Sequence, residues 1–271
     1  MRKEEFLSKF SEPVRKLISQ GENTVRDKRN FDYLSLGIEK EHIPELIKII
    51  QNTEYFIYDL DEDDEDWGAP IHAWRALGQL KATEAIATLI NLLEESEELD
   101  LDWVMDEIPD VMAKIGHACI PSLDKYLKNP KRLEWASVTA TVCLAKIGTA
   151  NPESRTKCIE VLENSLKNYK KNTEDFNAFL ISSLTDLKAV ESNALIKRAF
   201  DANAVELSMM GDYEEYQIEV GLLDKRITPA RRFYPKWHPL HEDENKTPNV
   251  TKKELSDFFN LVDPDIKKGK F

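Results

Sequence analysis

Three acidic residues are each followed directly by a tryptophan, and such a pair can recognise a cation. The pairs are Asp66-Trp67, Asp102-Trp103 and Glu134-Trp135. A carboxylate beside an indole face attracts a cationic side chain through charge and through cation–π attraction, each worth about 0.5–2 kcal/mol. The pairs predict a rim that holds a Lys- or Arg-rich partner segment. Alternatively, the tryptophans pack neighbouring elements together and the acids favour helix N-termini.

A second set of polar residues recurs at one position of each predicted second helix. Each lies five residues after the first residue of the repeated helix pattern, and the set is Lys48, Asn91, Lys125, Asn164 and Arg198. Amides and cations aligned on neighbouring helices can bind an acidic peptide. They can equally hydrogen-bond the neighbouring helices and fix their stacking, and the sequence leaves both interpretations open.

Two acidic runs and two basic runs fall between successive predicted hairpins. Residues 59–66 hold seven carboxylates in eight positions, and residues 94–102 hold six in nine. The equivalent later segments carry cations instead, at residues 128–132 and 170–171. If the hairpins stack in chain order, one edge of the molecule is acidic in its N-terminal half and basic further on.

The first acidic run does not match a calcium-binding loop. An EF-hand loop needs Gly at its sixth position and Glu at its twelfth. Counted from Asp59, those positions are Asp64 and Pro70. The run is therefore expected to be a solvated loop.

Histidine and cysteine are few and poorly spaced for catalysis or metal binding. The five histidines form no His-x-x-x-His or His-Glu-x-x-His pattern, and no Cys-x-x-Cys pair exists. His117 and Cys119 are two residues apart, so their side chains do not face each other on a helix. Phosphate-loop and dinucleotide glycine patterns are absent as well. We predict no catalytic residue, no metal and no cofactor.

Compartment is indicated by three further features of the sequence. The cysteines, Cys119, Cys143 and Cys158, are odd in number and are expected to be buried thiols in a reducing compartment. The N-terminus lacks the apolar core of a signal peptide. No apolar run reaches the roughly 18 residues that span a bilayer. The expectation is a cytoplasmic protein.

An internal repeat must position all of these residues. Residues 113–116, Ala-Lys-Ile-Gly, recur at 145–148, and residues 77–84 recur more loosely at 184–191. The corresponding turn positions are spaced 38, 32 and 37 residues apart, at Gly78, Gly116, Gly148 and Thr185. Periods of 20 to 50 residues are typical of solenoids, and a glycine after a helix can take the left-handed cap conformation.

The second helix of each repeat has its own apolar pattern. Apolar residues, which we call anchors, recur at i, i+3 and i+7 in each second helix. The first anchor positions are Ile43, Ile86, Ile120, Ile159 and Asn193, and only Asn193 is polar. This spacing marks one face of an α-helix. Each repeat is therefore two amphipathic helices, and stacked neighbours bury the stripes that one hairpin leaves exposed.

The turns Ala-Leu-Gly and Ala-Lys-Ile-Gly, followed by Ile-Pro-x-Leu, resemble HEAT-like repeats of the phycobilisome-lyase type over about residues 31–205. The resemblance implies an all-α fold, a right-handed α-solenoid of about five hairpins. Proteins of this type include scaffolds, adaptors, bilin lyases and a few enzymes. HEAT-like di-iron hydroxylases carry repeated His-Glu pairs, whereas this chain has one, His241-Glu242.

The predicted domain organisation has three parts. Residues 1–30 form an N-terminal cap helix, over residues 3–19, and a linker. Residues 31–205 form the solenoid. Residues 206–271 form a capping segment and an irregular, Pro-rich tail, with a short helix expected at 251–261.

The net charge of −13 bears on the possible partners. Nucleic-acid binders gain affinity from Lys and Arg, so a phosphate-tracking protein or a HEAT-like DNA glycosylase is disfavoured, as is an anionic membrane surface. The leading hypothesis is a non-catalytic scaffold or adaptor. It would bind a partner protein or peptide on its concave face or on its acidic rim. A partner bound at the acidic rim would be basic. The alternative implied by the resemblance is a bilin lyase or chromophore-handling protein.

Overall fold

The structure, a computed structural model, describes residues 7–21, 31–53, 56, 65–98, 101–229 and 233. In these residues every regular element is helical, and there is no strand. The chain divides into two units, Met1–Arg231 and Arg232–Phe271, and every helix named below lies in the first. No helix among the described residues combines the length and apolarity needed to cross a membrane.

The α-helices are short to medium in length. In chain order they are α1 (Glu12–Ile18), α2 (Ile43–Ile50), α3 (Ala69–Gln79), α4 (Ile86–Glu98), α5 (Asp102–Ile115), α6 (Ile120–Leu127), α7 (Glu134–Ala150), α8 (Arg155–Leu166), α9 (Glu174–Asp186), α10 (Asn193–Asp201), α11 (Leu207–Met210) and α12 (Tyr213–Glu219).

A 3₁₀ turn precedes each of the second helices α2, α4, α6, α8 and α10, and this repetition defines the hairpins. These turns are Lys40–His42, Thr83–Ala85, His117–Cys119, Pro152–Ser154 and Val190–Ser192. Hairpins 2 to 5 are thus α3/α4, α5/α6, α7/α8 and α9/α10. In hairpin 1 the first helix is only a 3₁₀ turn, Tyr33–Leu36, ahead of α2.

The apolar frame predicted for the second helices is confirmed by burial. The i+3 anchors are completely buried in all five, at Leu46, Leu89, Leu123, Leu162 and Ile196. The i positions Ile43, Ile86, Ile120 and Ile159 are buried too. Burying one such side chain contributes roughly 1.5–3 kcal/mol, so this stripe supplies much of the drive for packing.

Helices of successive hairpins pack side by side. Among the first helices, α3 packs against α5, α5 against α7 and α7 against α9. The second helices contact one another in the same chain order, from α2 to α10. Helix α7 is covered on several sides, by α4, α5, α6, α8 and α9. Small residues such as Ala140 and Ala145 are buried along it, because neighbours approach closely from more than one direction.

The prediction that a glycine turn joins the two helices is wrong for hairpins 2 and 4. Of the three predicted turn glycines, only Gly116 has a positive φ, at +86°, whereas Gly78 and Gly148 lie inside α3 and α7. In hairpins 2 and 5 the left-handed residues are lysines, Lys81 and Lys188. The helical glycines instead let a neighbouring element approach the helix backbone.

Two predicted boundaries also differ from the structure. The predicted cap helix over residues 3–19 is interrupted at residues 8–11, and α1 begins at Glu12, because Pro13 lacks an N–H and its ring would clash with a preceding helical turn. Residues 1–6 lie outside the described residues. Residues 94–98 of the second acidic run belong to α4 and are not in a loop. Residues 57–64, 99–100 and 234–271 lie outside the described residues, so most of the first acidic run and the predicted helix at 251–261 do too.

Candidate functional site

A cleft of about 740 Å³ opens where hairpins 3, 4 and 5 are joined to one another. It is lined by the ends of α6 and α8, the beginnings of α7 and α9, and the two connecting segments. We call residues 128–133 the first basic loop and residues 167–173 the second basic loop. Volumes of 300–1,000 Å³ are usual for ligand clefts in proteins.

Both basic loops line the cleft, as the sequence suggested for a basic stretch of edge. The first contributes Lys128 and Arg132, and the second contributes Lys171. Neither loop contains an acidic residue. The acids that do line the cleft come from the helices, at Asp124 and Glu134.

Arg132 is the best-positioned cation of the cleft. The carbon at the centre of its guanidinium lies 5.1 Å from the centroid of the Phe176 ring, which is buried. Its Nη1 donates a hydrogen bond to the Asn129 carbonyl at 3.3 Å. A guanidinium has five N–H donors, so most of them are left for a ligand while the aromatic face restrains the side chain.

The lysines of the two loops differ in how they are engaged. Lys128 pairs with Asp124 at 2.7 Å, and Lys167 donates to Asn164 Oδ1 at 2.8 Å. Lys171 is exposed, and its side chain makes no hydrogen bond or ion pair with any residue that the structure describes. The cleft lining therefore includes one ammonium without a partner among the described residues, in addition to the guanidinium of the first basic loop.

Glu134, one of the predicted rim acids, joins two helices across this cleft. Thr173 Oγ1 donates a short hydrogen bond to Glu134 Oε1 and accepts one from the Phe176 N–H at 3.1 Å. Thr173 is the N-cap of α9. The carboxylate of Glu134 is thus already used to hold the start of α9 beside the start of α7.

The three acid–tryptophan pairs lie in different hairpins. Asp66 and Trp67 lie in the 3₁₀ turn Glu65–Gly68 ahead of α3, where Asp66 is buried and Trp67 half-buried. Asp102 and Trp103 begin α5, and the side chain of Asp102 lies outside what the structure describes.

Two of the three tryptophan rings contact aromatic rings of neighbouring hairpins. Trp103 lies against Trp74 of α3, with ring centroids 5.3 Å apart. Trp135 is 47% exposed and meets Phe179 of α9 edge-on at 5.9 Å. These contacts agree with the alternative interpretation, in which the tryptophans pack neighbouring hairpins together. A rim that binds a basic segment stays a prediction.

The second-helix residues form a more uniform set, which we call the ladder: Lys48, Asn91, Lys125, Asn164 and Arg198. All five are exposed. Lys48 Nζ lies 5.8 Å from the Phe10 ring centroid, and Asn164 bonds Lys167. Among the described residues, none of the five side chains hydrogen-bonds a neighbouring second helix, and Asn164 also lines the cleft.

A buried polar cluster between hairpins 1, 2 and 3 was missed by the sequence reasoning. Tyr33 Oη and His72 Nδ1 are 2.8 Å apart. Arg75 donates to both Glu107 oxygens, at 2.8 and 2.6 Å. Burial lowers the pKa of His72 to about 4. The available signal was the pair of polar residues at i and i+3 in the otherwise apolar helix α3.

The buried cysteines have no reactive character. All three are free and buried. Burial raises the pKa of Cys119 to about 12 and of Cys158 to about 11, and raises that of Cys143 well above its usual value. A thiol kept protonated is a poor nucleophile and a poor metal ligand. No cluster of possible metal ligands occurs among the described residues.

Comparison with known proteins identifies a family but no relative of known activity. No curated protein matches the chain, and no solved structure matches it. The model of a family described as a protein of unknown function, DUF1186, matches residues 33–231. That range includes all five hairpins together with α11 and α12. Because the match extends over well more than half of the sequence, the chain belongs to the DUF1186 family.

Proposed function

We propose that this protein is a non-catalytic interaction scaffold. In this proposal the five hairpins form a right-handed α-solenoid of HEAT-like repeats, and a partner protein or peptide binds the concave face made by the second helices. The side-by-side packing of successive first and second helices supports the solenoid. The 3₁₀ turn repeated before every second helix supports a common repeat geometry.

The ladder is the observation that carries the proposal. Five successive second helices expose a polar side chain at the same position of the repeat. The side chains of Asn91, Lys125 and Arg198 make no hydrogen bond or ion pair with the described residues. Polar groups that do not hold the fold together are available for a partner, and extended repeat arrays use such surfaces for binding.

We place the scaffold in the cytoplasm. Three free cysteines buried in the core support a reducing compartment, because oxidising compartments favour disulfides. The raised pKa values of these thiols also fit residues retained for packing.

A pair of matched variants tests the binding face. The ladder variant combines Lys48→Ala, Lys125→Ala and Arg198→Ala. The control variant combines Lys16→Ala, Lys114→Ala and Lys146→Ala, which removes the same charge from exposed positions on α1, α5 and α7. Both variants should retain the wild-type circular dichroism and melting temperature, since surface substitutions change stability little.

Quantitative affinity purification from the native cell is the measurement. We expect at least one protein to co-purify with the wild type and the control and to be depleted about tenfold with the ladder variant, a loss of about 1.4 kcal/mol. If every co-purifying protein is retained by the ladder variant as well as by the control, the second-helix face is not the binding surface.

A further inference from the structure

We infer that the cleft between the two basic loops binds an acidic, Asp- or Glu-rich peptide segment. This inference rests on the proposed scaffold function and names the chemistry of the partner at one end of the second-helix face. Charge, side-chain availability and the state of the nearby helix N-termini each support it.

The local charge is opposite to that of the molecule. The chain as a whole carries −13. Residues 125–133 nevertheless contain four cations and no acid, and residues 164–173 contain three cations and no acid. The fold brings parts of both segments to one cleft, whose charged lining is three cations, Lys128, Arg132 and Lys171, and two acids, Asp124 and Glu134. Asp124 is paired with Lys128, and Glu134 accepts a hydrogen bond from Thr173. A local positive field in an acidic protein attracts acidic segments and repels basic ones, which gives specificity and a fast encounter.

The unengaged cations of the cleft come from both basic loops. Arg132 belongs to the first basic loop, and Lys171 belongs to the second. Stacking over Phe176 restrains the Arg132 guanidinium, so less side-chain entropy is lost on binding. A guanidinium can take a carboxylate through two parallel hydrogen bonds, and Lys171 offers a second charge to a neighbouring carboxylate. An extended segment with several carboxylates can bond to both cations together.

The nearby helix ends favour a peptide over a phosphate group. A phosphate site at a helix N-terminus uses free backbone N–H groups. In α7 the Ala136 N–H already donates to Glu97 Oε2 at 2.8 Å, and in α9 the Phe176 N–H donates to Thr173. One N–H at each helix end is thus engaged within the protein, and the side-chain cations of the two basic loops are donors that suit charges spread along a chain.

Fluorescence anisotropy of the full-length protein tests the inference, with a labelled short Glu/Asp-rich peptide as the probe. We expect saturable binding to the wild type that weakens as salt is raised, and no binding of Gln/Asn-rich or Lys-rich peptides of equal length. The variant Arg132→Gln/Lys171→Gln should bind the acidic peptide at least about tenfold more weakly. Lys171 is exposed and has no hydrogen-bond or ion-pair partner among the described residues, so Lys171→Gln alone should not disturb folding and should weaken peptide binding about threefold.

The matched control is Lys157→Gln/Lys197→Gln. These exposed lysines are paired within their own helices, with Glu160 and Asp201, and the change in net charge is the same. The control should bind the acidic peptide like the wild type. Equal loss in the control and in the cleft variant would reduce the effect to net charge and overturn the inference.

Other outcomes are equally decisive. Displacement of the peptide by inorganic phosphate at the peptide's own concentration would show a simple anion site and would overturn a peptide site. Absence of acidic-peptide binding by the wild type would overturn the inference while leaving the ladder comparison untouched, because that comparison is made on proteins captured from the cell. Retention of every partner by the ladder variant would instead remove the scaffold proposal.

Discussion

Buried polar side chains tie the N-terminal hairpins together. His72 and Arg75 point from α3 to Tyr33 of hairpin 1 and Glu107 of hairpin 3. Arg75 and Glu107 are 3% and 13% exposed, so their hydrogen bonds form where water competes little. A pair in such a place specifies one arrangement of helices more than it adds stability, because removing charges from water is costly.

His72 makes stability depend on pH. Burial lowers its pKa from 6.5 to about 4, so the folded protein favours the neutral ring. In the unfolded chain His72 takes up a proton near pH 6.5, but in the folded protein it does so only near pH 4. The contribution of His72 to stability is therefore complete above pH 6.5 and is lost as the pH falls toward 4. Between pH 7 and pH 5 we expect this residue alone to lower the free energy of unfolding by about 2 kcal/mol.

The variant His72→Gln checks this expectation. Glutamine can still accept a hydrogen bond from Tyr33 but does not titrate. Urea unfolding at a series of pH values should show a shallower loss of stability below pH 6.5 than in the wild type. Identical pH slopes for the two proteins would show that His72 is not buried as a neutral ring.

At the scale of elements, the two helical glycines show how closely the helices approach. A Cβ on Gly78 would lie 3.4 Å from Val111 Cγ1 and Lys114 Cδ, an ordinary contact. A Cβ on Gly148 would lie 2.7 Å from Leu187 Cδ2 and 3.3 Å from the Arg155 backbone. The two positions match in sequence and differ in the space around them.

Alanine substitutions at these glycines should have opposite effects. Gly78→Ala should raise stability by about 0.5–1 kcal/mol, because alanine loses less entropy in a helix. Gly148→Ala should lower it by about 1–2 kcal/mol, since repacking around Leu187 outweighs the same gain. Thermal melts of the two variants against wild type are the measurement. A stabilised Gly148→Ala protein would contradict the close approach of α7 to hairpin 5.

Arg155 joins hairpin 4 to hairpin 5. Its Nε and Nη2 donate to the carbonyls of Leu187 and Lys188 at 2.8 and 2.9 Å, and it pairs with Glu191 at 2.8 Å. Hydrogen bonds from Arg155 lower the pKa of Glu191. The carbonyls at the end of α9 have no further helical turn to bond, so this side chain satisfies them.

At the scale of the whole molecule, most contacts join neighbouring hairpins, although α4 also reaches α7. In a repeat array, a weakened interface loosens mainly the units beside it. In a single globular core, the same change lowers protection everywhere. Whether a weakened interface exposes backbone amides locally or throughout the molecule therefore distinguishes the proposed solenoid from a single globular core.

Hydrogen exchange of Arg155→Ala tests the array. Loss of its charge-assisted bonds should cost about 1.5–3 kcal/mol, and amides of α9 and α10 should exchange at least about tenfold faster while those of α3 stay unchanged. Lys157 lies two residues away and, among the described residues, pairs with Glu160 of its own helix, so Lys157→Ala should change exchange in neither region. Equal acceleration in α3 and α10 would contradict the array.

Much of the fold could be predicted because the helices follow from the spacing of apolar residues within each segment. Apolar residues at i, i+3 and i+7 mark a helix whatever lies around it, and the anchors from Leu46 to Ile196 are buried as expected. The positive φ of Gly116, directly after α5, is likewise a local property, because only the absence of a Cβ is needed to allow it. Boundaries set by one residue, such as Pro13 at the start of α1, were misjudged because the apolar pattern continues past them.

The candidate site could be predicted only in part. The positions of the two basic loops and of the ladder could be predicted from the period of the repeat. No rule about residue spacing predicts that loops 128–133 and 167–173 line the same cleft. Contacts between residues far apart in the chain decide that Asp66 is buried, that Trp103 lies on Trp74 and that Glu134 bonds Thr173.

The sequence by itself therefore determined the helices, their apolar faces and the period of the repeat, because these depend on neighbours within one or two turns. Only the tertiary structure decided which glycine is a turn and which a close contact, which acids are already bonded, and which cations remain open. Those properties depend on the distance between side chains of different hairpins, and that distance is set when the hairpins pack.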